Sequence, residues 1–214
     1  MYRDIRTALT LAELMVTLML LSIVSALAIP ALRRQQTRSQ HELSRHSMSQ
    51  IRTVIRRDYR EDLFHSLPYP MDPSRPSHPQ LKYLYHNPAA YLAADPESIE
   101  ATSAWSYDPS TRRGWSGPYI DHASGSLGRY AEDSTRGFEP IYGSTGDPAP
   151  LDGWGNPIVL QQPVVTGGVH SATSVRYARL VSAGPDGILS TPPLTALPSP
   201  GEIGDDIVSY LEAR

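Results

Sequence analysis

The apolar positions of this chain fall into three patterns. From Leu14 to Leu32 there are nineteen consecutive residues without a charge. At 1.5 Å per residue that is roughly 28 Å of helix, close to the ~30 Å hydrocarbon core of a bilayer. The spacing predicts a membrane-spanning helix, with Pro30 removing one backbone hydrogen bond and kinking or locally melting it. Beyond it, Leu43, Met48, Ile51, Ile55, Tyr59 and Leu63 recur mostly every three or four residues, the period of an amphipathic helix. Counted from about Leu9 to His65, the two parts make a helix on the order of 85 Å long. The third pattern is short and lies near the C-terminus. "IVLQ" (158–161), "SVRYARLVS" (174–182) and "DIVSYLE" (206–212) read as strands after the Gly-rich turn "LDGWGNP". Three strands against one amphipathic helix share a buried face, which makes the fold class α+β: a long N-terminal helix on a small antiparallel sheet. Between residues 66 and 150, "PYPMDPSRPSHP" and "GSTGDPAP" signal loops. Short helices are expected there only near "NPAAYLAA" (87–94) and "DPESIEATSAW" (95–105).

Composition narrows the function classes. Of 214 residues, 20 are Pro and 15 are Gly, and the 40% that are hydrophobic concentrate near the N-terminus. What remains can bury only a modest core, which argues against a large multi-layer enzyme. There is no cysteine, so disulfides, Cys-ligated zinc, iron–sulfur clusters and thiol nucleophiles are out. The net charge is -3, and Lys82 is the one lysine among 19 basic residues. Arg33, Arg34, Arg38, Arg45, Arg52, Arg56, Arg57 and Arg60 line the helix against Glu42, Asp58, Glu61 and Asp62. No aromatic residue alternates with these Arg to stack bases, so a solvated helix face touching neighbouring subunits is favoured over nucleic acid. "HELSRH" fails as a zinc motif: five residues separate His41 and His46, about 500° of helix rotation, where a shared face needs four. The seven His form no ligand pair, and no nucleophile elbow, P-loop or dinucleotide fingerprint occurs. The chain reads as a non-enzyme.

The stretch "ALTLAELMVTLMLLSIVSALAIP" carries a resemblance. A single carboxylate, Glu13, stands just before the apolar run, and ionisable residues at membrane depth are functional candidates. The stretch resembles the N-terminus of type IV pilins and type II secretion pseudopilins. The resemblance implies a leader of residues 1–8, cut between Ala8 and Leu9 by a prepilin peptidase, with methylation of the new Leu9 amine. It puts Glu13 at the fifth mature position as an assembly residue and Pro30 at the family's helix proline. Residues 9–32 then form the transmembrane and filament-core helix and 33–65 its amphipathic half. Residues 66–150 form a variable loop-rich region, and 151–214 the C-terminal sheet. Two other readings stay open: a conventional signal peptide, with "ALA" at 26–28 as its cleavage site, on a soluble periplasmic protein; and a bland single-pass anchor.

The C-terminal stretches "DGWGNP", "SAGPDG" and "DDIVSY", with "GWSGPYI" at 114–120, are similar to the succession in the major pseudopilin, whose C-terminal loop binds calcium. From the residues themselves, five acids and no Lys or Arg lie between Leu180 and Ala213. Calcium takes six to eight oxygens from carboxylates and carbonyls of irregular loops, and Asp186, Asp205, Asp206 and Ser182 are the expected ligands of a structural ion. The expected function is a subunit of a type II secretion pseudopilus in the bacterial inner membrane, its domain in the periplasm. The implied partners are further copies, other pseudopilins, the prepilin peptidase and an inner-membrane assembly platform. The alternative within the family is a type IV pilin for adhesion, motility or DNA uptake.

Overall fold

The computed structural model describes residues 11–63, 67–68, 80–88, 106–121, 123–128, 130, 133–138, 142–163 and 175–212. The expected leader site, Ala8 and Leu9, lies outside them, as do the two short helices from residue 89 on. The chain divides into two units, residues 1–39 and 40–214.

Helix α1 runs over Leu11–Val54 with Pro30 inside it. The expected local melting at Pro30 does not interrupt the helix. Within the first unit every described residue is exposed, from Ile23 and Ile29 at 50% to Leu11 at 77% among the large hydrophobic side chains. This segment is long and apolar enough to cross a membrane.

In the second unit the end of α1 continues as a π-helix over Ile55–Tyr59 and one α-turn, α2, at Arg60–Asp62. The sequence explains the change of winding. Ile51, Ile55, Tyr59 and Leu63, all buried, repeat every four residues. In a helix of 3.6 residues per turn that stripe drifts about 40° at each step. The i→i+5 bonds of a π segment widen the turn and return the stripe to the core. The expected apolar position Leu43 is instead 56% exposed. Ser44 takes the buried place, its hydroxyl donating to the Gln40 carbonyl at 2.8 Å.

The main sheet has the order β3 (Ile158–Gln161), β4 (Arg179–Ser182), β5 (Ile207–Tyr210), antiparallel throughout. A two-residue ladder, β1 (Gly125–Ser126) with β2 (Pro148–Ala149), stands apart from it. The expected strand 174–182 is shortened, because residues 175–177 form a helical turn. Successive side chains of a strand point to opposite faces, and the two cores follow that parity. Ile158, Leu160, Leu180 and Ile207 pack with Met48, Ile51, Ile55 and Tyr59 of the helix. Val159, Val181 and Ala183 pack on the other face with Phe138, Tyr142 and Leu189. The order of layers is therefore helix, sheet, loop cover, and the cover includes the Pro-rich segment after residue 187.

The loop 114–121 fastens to the helix end. Asp62 accepts from the hydroxyls of Ser116 and, at 2.9 Å, Tyr119. Trp115 donates its ring N–H to the Tyr83 carbonyl at 2.9 Å. The "GWSGPYI" stretch thus anchors a loop.

Candidate functional site

The three C-terminal stretches singled out in the sequence come together at one corner of the sheet. Asp152 organises the turn "DGWGNP": its Oδ1 accepts from the amides of Trp154 and Asn156 at 2.9 and 2.8 Å, the local bonding that makes Asp a turn residue. The turn grips the helix. Gly153 donates its amide to Ser44 Oγ at 2.8 Å, and a Cβ at Gly153 would lie 2.1 Å from the Gln40 carbonyl oxygen. The Trp154 ring meets His41 edge-on at 6.2 Å. The same turn reaches "SAGPDG". Ser182 Oγ donates to Asp152 Oδ2 at 2.7 Å, and Asn156 Nδ2 donates to the Gly184 carbonyl at 2.8 Å. Gly184, at φ +63°, leaves room for the Asp205 carbonyl, which a Cβ would approach to 2.5 Å.

Each expected calcium ligand has a definite place. Asp186 and Asp205 are exposed and adjacent, the Asp186 amide donating to Asp205 Oδ2 at 3.3 Å. Asp186 Oδ1 accepts from the Ile188 amide at 2.7 Å. Asp206 is buried beneath the loop, where its Oδ2 accepts from the amide and the hydroxyl of Thr191, both at 2.6 Å. Its Oδ1 is buried and lacks a hydrogen-bond partner. Burial pushes this carboxyl up to about 6, against the opposing pull of the Thr191 donors. Ser182 is fully buried and its hydroxyl hydrogen belongs to Asp152.

The four expected ligands sit in different surroundings. The orphaned Asp206 oxygen suits a cation, but its carboxylate is turned under the loop while Asp186 and Asp205 face outward, and Ser182 is engaged by Asp152. No set of three His, Asp or Glu side chains converges on a metal position among the described residues.

The loop is held by a residue whose role the sequence did not reveal. Arg179 is fully buried on β4. Its Nε donates to Gln161 Oε1 at 2.9 Å, one terminal nitrogen to the carbonyls of Thr195 and Ala196 at 2.8 and 3.3 Å, and the other to the Pro192 carbonyl at 2.7 Å. Gln161 Nε2 in turn donates to the Thr191 carbonyl and to Tyr142 Oη, both at 2.9 Å. A guanidinium carries five donors in a fixed fork, which suits a row of backbone carbonyls. The available signal was an Arg in the middle of an apolar strand, since unsatisfied charges are not left in a core.

At the N-terminus, Glu13 lies in the first turn of α1, where a carboxylate interacts favourably with the helix dipole. It carries the one charge between Leu11 and Leu32. Pro30 lies within the exposed apolar stretch.

A shallow groove of about 370 Å³ runs between α1 and the edge strand β5. His41, Arg45 and Arg52 stand along its helix side, Met48 contributes its floor, and Ile207 to Ser209 form the other wall. Asp206 closes one end, its carboxylate turned to Thr191.

No protein-family model, curated protein or solved structure matches the chain.

Proposed function

We propose that the protein is a filament subunit of the type II secretion pseudopilin kind. In this reading it is inserted in the bacterial inner membrane with its C-terminal domain in the periplasm. A prepilin peptidase cuts it between Ala8 and Leu9, the Leu9 amine is methylated, and the chain polymerises with itself and other pseudopilins on an inner-membrane platform that drives protein export.

The observation that supports the reading is the exposed apolar stretch of α1 with Glu13 as its one charge. Large hydrophobic side chains at half exposure or more need lipid or sister helices around them. A carboxylate at that depth is costly to keep and marks a functional position. Cleavage before Leu9 creates a terminal ammonium one i,i+4 step from Glu13. In a stack of copies the same carboxylate can accept the ammonium of an incoming subunit, which would set the axial register. Calcium at the C-terminal loop is a separate question: a melting temperature left untouched by EDTA would remove the structural ion, because a ligand bound only to the folded state must raise stability.

Mass spectrometry of the protein from its native membrane tests the proposal. The expected N-terminus is Leu9 carrying one additional methyl group. A chain that begins at Ile29 is a conventionally secreted protein, and the proposal fails. Glu13→Ala should still be processed while its incorporation into filaments is lost; wild-type incorporation removes the assembly role of Glu13.

A further inference from the structure

The C-terminal loop carries no cation of its own on its outer surface, and Arg136, whose Nη1 comes near Gly187, is paired with Asp133. Asp186, Glu202 and Asp205 are all exposed, and no Lys or Arg occurs between Leu180 and Ala213. Their recorded bonds are local: Asp186 caps the Ile188 amide, Asp205 accepts from the Asp186 amide, and Glu202 closes a capping box with Ser199 at the start of the short helix α3, Pro200–Ile203. None of the three forms an ion pair among the described residues. Loop hydrophobics are exposed beside them, with Leu194 at 61% and Leu197 at 55%.

The groove between α1 and β5 has the opposite character. Arg45 and Arg52 form no ion pair among the described residues, and together with His41 they flank an apolar floor at Met48. Beside them runs the outer edge of β5, a strand that among the described residues pairs on one side only. Strand edges offer backbone donors and acceptors to another chain.

Within one copy no ion pair joins the two surfaces among the described residues, although Asp206 of the loop closes one end of the groove. Arg179, Gln161 and Asp206 fasten the loop to the sheet face away from α1. We propose that the α1–β5 groove receives the acidic C-terminal loop of a second copy, with Arg45 and Arg52 as the counter-charges of Glu202, Asp205 and Asp186. Two different patches of one chain meeting head to tail propagate into a helical array unless the rotation closes a ring. This inference deepens the filament reading and rests on it.

The full-length chain in membranes carries the test. Because it has no cysteine, introduced ones report without background. Ser49→Cys, in the groove wall, is produced in one tagged copy. Gly201→Cys, whose Cβ position meets nothing within 4 Å, is produced in another. The pair should cross-link between tags, whereas Ser49→Cys with Asp121→Cys should not. Arg45→Glu with Arg52→Glu should lower the yield about tenfold, as should Glu202→Arg with Asp205→Arg in the other copy, and the two changes combined should restore it. Absent cross-linking, indifference to charge reversal, or failure of the swap to rescue a variant that melts normally overturns the proposal. So does a yield abolished by EDTA, which would make a divalent cation the bridge. A chain that starts at Leu9 yet does not cross-link refutes this contact and leaves the filament reading standing; cross-linking by a chain that never loses its leader does the reverse.

Discussion

Arg179 and Asp206 decide more at the scale of single residues than the sequence suggested. Arg179→Met keeps much of the volume but leaves the carbonyls of Pro192, Thr195 and Ala196 without their donors. Unmade bonds at buried groups cost about 1–3 kcal/mol each, so a loss of about 3 kcal/mol or more is expected, measured as a lower denaturation midpoint. Asp206 makes stability depend on pH in a defined direction. Its folded value, about 6, lies above the ordinary 3.8, so the folded state holds the extra proton between those values. This contribution is therefore present at low pH, is lost as pH rises from about 4 to 6, and stays lost above. Asp206→Asn should flatten that segment of the melting-temperature profile; an unchanged profile would mean that another group is responsible.

The scale of the element shows where periodicity was informative and where it misled. The four-residue repeat of Ile51, Ile55, Tyr59 and Leu63 identified the buried stripe, and the π turn at Ile55–Tyr59 is how the helix keeps it on the sheet. Ile55→Ala should cost about 2–5 kcal/mol, read by chemical denaturation. Leu43 matched the same apolar pattern and is nonetheless exposed, because Gly153 docks at Ser44 and fixes which side of the helix faces the domain. Gly153→Ala would drive a Cβ into the Gln40 carbonyl. Overpacking of this kind costs about 1–3 kcal/mol, and the Trp154 fluorescence should shift with it. The strand expected over 174–182 shrank to Arg179–Ser182 since only those residues pair with both β3 and β5.

For the molecule as a whole, the layers separate surfaces of different chemistry. The outward helix face is rich in Arg and the C-terminal loop is acidic. The single lysine belongs to neither surface. Lys82 is enclosed, pairing with Asp147 at 2.9 Å with both side chains 11% exposed. An amine-reactive probe should therefore modify Lys82 only slowly in the folded protein and fast in urea. Peptide mass mapping follows the site, and equal rates with and without urea would show that the pair opens.

The sequence by itself determined the apolar helix with its lone Glu13, the amphipathic stripe, the three C-terminal strands and the absence of thiol chemistry, because each depends on spacing or composition within a few turns of chain. Only the tertiary structure decided how the acidic loop is held. Ser182 lies next to Asp152, Asp206 beneath Thr191 and Arg179 beneath Pro192, and all three meetings bring together segments 13 to 30 residues apart. Local periodicity has no record of such distances. Whether a buried charge or a bound ion anchors a loop depends on which groups the fold brings within about 3 Å, and proximity of that kind appears only once the sheet has closed.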